Sequence, residues 1–405
     1  MADRFMKQGG WPSLILIYLY GVVSAASLTK AIPLQAHIAG LPGGRASLVG
    51  LFISLMAILP AIFGTASGAV IDHLGARPAL ILAALVGALV NGLYCLAGSF
   101  MPFEVIRVAE GAVPLLVYAA APSLMIATAA PQRRSAAMAL WSSYTPVGTS
   151  LGLLIAAAFA TGKQWHQAYL VHGAIFVLLA ILGLALPRPE ASPPAAARPR
   201  RSVLALLRSR EGIAPLRLAG SFGVLILLGL GVSVVMPPSL SRHYGISIGA
   251  ASSLLAVTNV VMILGSTLSG VFLTRGVQPG TLFGVLAVVG TLAGCGLFAP
   301  WTQMGLTLAS LVAWVICTGA AMAVLASLLP KVAGAEHRAS TAGLLSQTGA
   351  LTTFVTAPLW LAVMAFDQWL ALALIILIGW GLSTVLLPAQ TRASSSPNPA
   401  GESRA

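Results

Sequence analysis

The sequence predicts an all-α membrane protein with about twelve transmembrane helices in two pseudo-symmetric six-helix bundles. Three observations lead to this fold class: an apolar composition, apolar runs of spanning length, and one long polar stretch at mid-chain. The 405 residues are 58% hydrophobic and 8% charged, whereas soluble domains carry roughly 25% charged residues. Since the apolar runs are continuous rather than alternating, we expect helices and not barrel strands.

Apolar runs of about 20 residues are long enough to cross ~30 Å of hydrocarbon. Their polar breaks give about twelve predicted spans. Those of the first half are Trp11 to Ile32, Ala46 to Ile71, Ala79 to Gly98, Pro102 to Ala127, Met138 to Ala160 and Ala168 to Leu186. Those of the second half are Leu218 to Met236, Ala250 to Thr274, Leu282 to Ala299, Met304 to Leu328, Thr341 to Phe366 and Leu370 to Leu387.

The first apolar segment follows Arg4 and Lys7 and contains Ser24-Ala25-Ala26, a combination similar to a cleavable signal peptide. Because the segment continues toward Ile32 at full spanning length, we expect an uncleaved first helix.

The basic residues predict the orientation in the membrane. Most of the 22 Lys and Arg residues fall on the side of the N-terminus, and the opposite side receives only Arg45, Lys163 and Arg242. Since Lys and Arg are retained in the cytoplasm, we expect both termini there, with the protein in the cytoplasmic (inner) membrane. The net charge of +13 then follows from topology, which disfavours nucleic-acid binding.

The polar stretch from Pro187 to Pro215 is rich in Pro, Ala and Arg and predicts a linker between two halves. Three residue pairs spaced by 202 to 204 positions support a duplication: Gly68 with Gly270, Arg134 with Arg338, and Pro33 with Pro237. The predicted division is an N-terminal bundle over 1–187, a cytoplasmic linker over 188–215, a C-terminal bundle over 216–390 and a disordered tail over 391–405.

Between the second and third spans, a polar stretch predicts a tight turn with fixed charges at a membrane face: Gly68-Ala-Val-Ile-Asp72-His73-Leu-Gly75-Ala-Arg77-Pro-Ala-Leu80. With this stretch the chain resembles the major facilitator superfamily, and the resemblance extends over nearly the whole chain. The family pattern at this place is G-x-x-x-D-R-x-G-R-R-x-x-L. It is matched at Gly68, Asp72, Gly75, Arg77 and Leu80, whereas His73 and Ala76 depart from it.

The resemblance implies a transporter that alternates access to a central cavity between its two bundles. In the family, the acid equivalent to Asp72 helps lock the halves together, which implies a gating role for Gly68, Asp72, Gly75 and Arg77. The alternative is an interfacial charge pair that only sets topology.

Two further stretches resemble family patterns. The fourth-span pattern R-x-x-Q-G occurs as Arg107-Val-Ala-Glu110-Gly111. The fifth span carries Tyr144-Thr-Pro-Val-Gly148-Thr-Ser-Leu-Gly152, which is partly similar to the G-P-x-x-G-G signature of drug exporters.

Glu104, Arg107 and Glu110 recur every three residues and therefore follow one face of the fourth span. An ionised side chain near the bilayer centre costs at least ~2.5 to 3.5 kcal/mol, so such residues normally face a cavity and find partners. We expect Glu104 at the outer surface and Glu110 deepest. Our hypothesis is that Glu110 binds a coupling proton and that Arg107 modulates it or holds an anion. The alternative is a static Arg–Glu pair.

Lys30 lies in the outer third of the first span. Its stem either snorkels to the surface or, together with Arg107, holds an anionic substrate group. The second-half spans carry no formal charge, and we expect them to supply hydrogen bonds and aromatic surface. The predicted substrate-binding residues are Lys30, Arg107, Tyr144, Asn259, Trp314 and Gln347, with Tyr18, Asn91, Tyr118, Trp141 and Trp360 as further candidates.

The Walker A and HExxH motifs are absent from the sequence. The GxSxG pattern occurs at residues 148–152 and 245–249, but a predicted all-helical chain lacks the strand-to-helix turn that a nucleophile elbow needs. Cys95, Cys295 and Cys317 fall inside apolar runs and predict packing positions. We expect no catalysis, cofactor or metal. The expected protein is a monomeric, proton-coupled secondary transporter in contact with membrane lipids, with a small organic anion as substrate. The alternative is a proton-driven exporter of multiple drugs or toxic compounds.

Overall fold

The computed structural model describes residues 10–64, 66–188, 212–332, 338–365 and 369–388, without the side chains of Ala69, Asp72 and residues 338–340. In these ranges the chain is helical and contains no β-strand. Eight helical segments there are long and apolar enough to cross a membrane. The all-helical membrane fold is therefore confirmed. The greater part of the predicted linker and the predicted tail lie outside the described residues, and the domain boundaries stay predictions.

The first half contains eleven described α-helices. Grouped in chain order as α1, α3 to α5, α6, α7 with α8, α9 with α10, and α11, they correspond to the six predicted spans. Their bounds are α1 Trp11–Thr29, α2 Gln35–Ala39, α3 Ala46–Leu55, α4 Ile58–Phe63, α5 Ser67–Leu74, α6 Ala76–Leu96, α7 Phe100–Glu110, α8 Ala112–Thr128, α9 Arg134–Ser142, α10 Tyr144–Ala157 and α11 Gln167–Gly183.

In the second half, each predicted span corresponds to one helix. The bounds are α12 Ile213–Tyr244, α13 Ile248–Thr274, α14 Pro279–Phe298, α15 Met304–Val332, α16 Arg338–Ala365 and α17 Trp369–Val385. The predicted end of the seventh span at Met236 was too early, because α12 continues through Pro237 and Pro238 to Tyr244. Membrane helices tolerate such prolines where neighbouring groups satisfy the freed backbone.

The second and fourth spans are broken, although the sequence predicted continuous helices. The first break follows α3 at Met56, and the other lies at Gly111 between α7 and α8. Pro60 and Pro114 lack the N–H that would bond the carbonyls of Met56 and Glu110, four residues earlier, and the breaks lie at these two places. The two breaks face each other, since a Cβ at Gly111 would collide with the carbonyl oxygen of Met56. Only glycine permits this close approach.

The predicted tight turn between the second and third spans is shorter than expected. Helix α5 continues to Leu74, so Gly68 and Asp72 lie on a helix and not in the turn, which was a wrong prediction. The change of direction is made by Gly75, with φ 86° and ψ 143°, and α6 begins directly after it. This positive φ strains any residue with a Cβ, which explains the glycine.

The two halves contact each other toward the end of the molecule at which α3 begins and α10 ends, which we name the closed end. Here α10 packs against α13 and α16 packs against α3, and the contact of α16 continues along the second span to α4. In the described part of the chain, three side-chain hydrogen bonds join the halves: Gln35 Nε2 to Val234 O at 3.2 Å, Ser54 Oγ to Thr353 O at 3.3 Å, and Gln347 Nε2 to Ala61 O at 3.0 Å.

Gly50→Leu is expected to open the closed end. A Cβ at Gly50 would lie 2.8 Å from Cα of Pro358 in the other half, so a larger side chain cannot fit without separating α3 from α16. Spin labels at Lys163→Cys and Ala250→Cys, introduced after replacement of the native cysteines, should report a longer inter-half distance in this variant. Gly284→Leu is the control, because no neighbouring atom lies within 4 Å of its Cβ. Unchanged distances in both variants would contradict the described contact.

Candidate functional site

Three charged side chains meet inside the first half. Lys30 Nζ lies 2.6 Å from Glu110 Oε1, and Arg107 Nη1 lies 2.7 Å from Glu110 Oε2. All three side chains are at most 1% exposed. One carboxylate therefore bridges two cations, and we name Lys30, Arg107 and Glu110 the buried ion cluster. Glu104, one helical turn before Arg107, is only half-buried, which agrees with its predicted position nearer the surface.

Lys30 uses all of its hydrogen-bonding capacity within the bundle. Besides Glu110, its ammonium donates to Asn91 Oδ1 at 2.5 Å and contacts His172 Nδ1 at 3.1 Å. An ammonium has three N–H donors, so these three acceptors satisfy it completely. Lys30 does not snorkel to the surface, and that alternative was wrong because the side chain finds its partners inside.

The tautomer of His172 follows from its second contact. His172 Nε2 lies 3.0 Å from the carbonyl oxygen of Val23, which only accepts hydrogen bonds, so Nε2 carries the proton. With one proton on Nε2, the Nδ1 lone pair is free to accept from Lys30, and the ring is neutral. His172 is not among the site residues predicted from the sequence. The available signal was a titratable residue in the middle of an apolar span.

Arg107 joins the ends of two helices. Its guanidinium donates to Ser27 O at 2.9 Å and Leu28 O at 3.4 Å near the end of α1, and to Ile53 O at 3.1 Å near the end of α3. The last four carbonyls of a helix have no partner within it, and a cation is favourable there. Arg107 thus satisfies orphan carbonyls of the first and second spans while pairing with Glu110.

Aromatic side chains enclose the buried ion cluster. Tyr94 donates a hydrogen bond to Glu110 Oε2 at 3.0 Å. Lys30 Nζ lies 4.9 Å from the ring centroid of Tyr169, and the guanidinium carbon of Arg107 lies 5.4 Å from that of Phe52. Such contacts stabilise desolvated cations. Because water is excluded, the charges interact far more strongly than they would at a surface.

The remaining predicted substrate residue of the first half, Tyr144, lies elsewhere. Its ring centroid is 4.4 Å from that of Trp141 and 5.1 Å from that of Tyr118. Tyr18 lies beside this group, because its hydroxyl is 3.1 Å from the Oγ of Ser143, the residue before Tyr144. We name Tyr18, Tyr118, Trp141 and Tyr144 the aromatic stack. It contains three of the further candidates that the sequence suggested.

In the second half, Asn259 and Trp314 do come together. Both line a small cavity that also receives Ser233 and Thr318. Gln347 lies apart from them, on the contact with Ala61 at the junction of the halves. The six predicted substrate residues therefore occupy four places: the buried ion cluster, the aromatic stack, this cavity and the inter-half contact.

Of the predicted gating motif, Arg77 has defined partners. Its Nε lies 3.4 Å from Gly183 O and its Nη2 lies 2.5 Å from Leu184 O, both at the end of α11. Arg77 therefore ties the third span to the sixth. The side chain of Asp72 lies outside the described residues, so the gating role stays a prediction.

The fold is that of a polytopic helical membrane protein. The family model described as Major Facilitator Superfamily matches residues 14–357. A bacterial homologue of the human lysosomal transporter Spinster has a similar fold. In its inward-facing, unoccupied conformation the TM-score is 0.70 at 17% identity, with 94% of this chain and 95% of that chain covered. In its inward-facing, occupied conformation the TM-score is 0.67 at 18% identity, with 92% and 93% covered.

A curated relative, the hexuronate transporter of Bacillus subtilis (strain 168), is 27% identical over 176 residues. The aligned part is 43% of this chain and 39% of the relative, so the match spans well under half of either protein. Because the family model covers most of the chain, the chain belongs to the major facilitator superfamily. It is a multi-pass membrane protein of a solute-transport family.

Proposed function

We propose that the chain is a proton-coupled secondary transporter that carries a small organic anion by alternating access. The observation that supports this proposal most is the buried ion cluster. Burying three ionised side chains is costly, and a hydrophobic core of similar volume often gives equal or greater stability. A functional use of the charges accounts for their presence better than bundle stability alone, which remains the alternative.

An anionic substrate is favoured by charge and by chemistry. The cluster holds two cations and one carboxylate, so it presents a net positive charge to anything that approaches within the bundle. The relative from Bacillus subtilis is named for hexuronates, which are sugar acids with one carboxylate. Although that match is partial, we take a hexuronate as the first substrate to test.

The substrate would be held between the halves. In this state Lys30 and Arg107 are occupied by internal partners, so we propose that they act on the anion through their field, or directly after rearrangement. The less polar part of the substrate would contact three places. These are the partly buried Tyr144 of the aromatic stack, the cavity at Asn259 and Trp314, and Gln347.

We further propose that the protein works as a monomer in the cytoplasmic membrane, in contact with its lipids, and with both termini inside. The closed end would then face outward, and this state would open to the cytoplasm. In that orientation the motif residues Gly68, Asp72, Gly75 and Arg77 lie at the inner face, where they would gate the cytoplasmic side.

The experiment that tests the proposed function is uptake of labelled D-glucuronate into proteoliposomes, with and without an imposed pH gradient. We expect saturable uptake that rises several-fold when the outside is more acidic. Glucose, which has the same ring but no carboxylate, is the matched control and should not compete. Uptake that is indifferent to the gradient would contradict proton coupling, and competition by glucose would contradict selection of anions.

A second candidate function is proton-driven export of amphipathic toxic compounds. The aromatic stack favours it, because Tyr118 is 36% exposed and could stack on a flat apolar ring. Expression in a drug-sensitive host separates the two functions, since an exporter would raise drug tolerance without D-glucuronate uptake.

A further inference from the structure

The buried ion cluster carries one unbalanced positive charge. Lys30 and Arg107 are both paired with the same carboxylate, Glu110, and His172 is neutral in the tautomer that its contacts define. Among the described side chains, no second carboxylate forms an ion pair with either cation. The cluster therefore has net charge +1 in a site from which water is excluded.

Two single-proton changes are open to the cluster, and they have opposite effects on this charge. Protonating Glu110 would leave two cations without a counter-charge, a net charge of +2. Releasing a proton from Lys30 would leave the Arg107–Glu110 pair with a neutral amine, a net charge of zero. Since uncompensated buried charge is what costs free energy, the second change is the favoured one.

The hydrogen bonds around Lys30 suit a neutral amine as well. An amine keeps two N–H donors, which match the two oxygen acceptors Glu110 Oε1 and Asn91 Oδ1. The weaker contact, to His172 Nδ1 at 3.1 Å, is the one that would be given up. The other titratable or charged groups near Lys30 are Arg107, Tyr94, Cys95 and Tyr169, and none of these supplies a further negative charge at neutral pH.

We propose that Lys30, and not Glu110, releases and rebinds the coupling proton, while Glu110 stays ionised between the two cations. This inference rests on the proposed proton coupling and replaces the proton site predicted from the sequence. On release, an N–H bond of Lys30 Nζ breaks, the electron pair stays on nitrogen, and the proton passes to water in the opened bundle. Rebinding from water on the other side reverses the step.

The same charge count fixes the direction of coupling. An anion that binds near the cluster neutralises the unbalanced charge, so it stabilises the protonated form of Lys30. By linkage, a protonated Lys30 strengthens anion binding by the same factor. Anion and proton therefore bind together and cross together, so the cluster with its two passengers is neutral during the crossing.

The first test needs no substrate. Infrared difference spectra are recorded on wild-type protein in lipid while the buffer alternates between about pH 6 and about pH 9, a range in which free lysine stays protonated. In the wild type, we expect no carbonyl band from protonated Glu110. Such a band would be recognised by its disappearance in Glu110→Gln. In protein labelled with ¹⁵N-lysine, one lysine side-chain signal should change between the two pH values. The same signal should be absent from Lys30→Met. A carboxylic acid band that Glu110→Gln abolishes would overturn the proposal.

The second test uses transport. Lys30→Arg keeps a positive charge that cannot be released near neutral pH, so it should retain binding of D-glucuronate but lose at least ten-fold of gradient-driven uptake. Lys163→Arg, at an exposed position, is the matched control. Gradient-driven uptake by Lys30→Arg at the wild-type level would overturn the assignment. If the wild type does not carry D-glucuronate, the proposed substrate fails, whereas the spectra still decide which group titrates.

Discussion

Glu110→Ala is expected to destabilise the protein by about 3 to 5 kcal/mol, the range found when one partner of a buried ion pair is removed. The carboxylate neutralises Lys30 and Arg107 at 2.6 and 2.7 Å and accepts from Tyr94 at 3.0 Å. Without it, two buried cations lie close together with no counter-charge. We expect a large fall in the Tm of the purified protein and loss of transport.

Two further variants make this expectation specific. Glu104→Ala removes a half-buried carboxylate on the same helix, for which the structure gives no ion pair, and should leave Tm nearly unchanged. In Lys30→Met combined with Glu110→Gln, the cluster returns to net charge +1, so the double variant should be more stable than Glu110→Gln alone. A double variant no more stable than the single one would show that the charges are not coupled as described.

Arg107→Lys is expected to abolish transport although it preserves the charge. The guanidinium bonds carbonyls near the ends of both α1 and α3 while pairing with Glu110, and a single ammonium cannot reach all of them. At least one buried carbonyl would lose its partner, and hydrogen bonds to charged groups contribute about 1.5 to 3 kcal/mol each. The break after α3 would then lose its connection to the first span.

The control for this variant lies in the other half of the molecule. Arg217 bonds the carbonyls of Val385 and Leu387 at 2.6 and 3.0 Å, but at a more exposed position. Arg217→Lys should therefore lower Tm less than Arg107→Lys and leave uptake measurable. Equal effects of the two substitutions on Tm and uptake would show that Arg107 has no special role.

The sequence predicted the helical membrane fold and the most important pair of the site. Long apolar runs admit few alternatives once the backbone must satisfy itself in lipid. The three-residue spacing of Arg107 and Glu110 places them on one face of a helix, which the structure bears out. The cost of burying such charges was sufficient reason to expect partners for them.

Other features depend on contacts between segments far apart in the chain and were not predictable from local patterns. His172 and Asn91 reach Lys30 from α11 and α6, and only the assembled bundle shows that they converge. The close approach of the helix breaks at Met56 and Gly111 is likewise visible only in the assembled bundle, although the nearby prolines are local signals for the breaks themselves. The turn between the second and third spans is shorter than expected, because one residue with positive φ, Gly75, is enough to change the chain direction.

Movement of an organic anion through this protein is expected to carry protons by way of the buried ion cluster, and this can be measured directly. Proteoliposomes are loaded with a pH-sensitive dye, and D-glucuronate is added outside without any imposed gradient. We predict that the interior acidifies with wild-type protein and stays unchanged with Lys30→Met. Acidification of equal rate in that variant, or anion uptake by the wild type without any change in internal pH, would contradict the account.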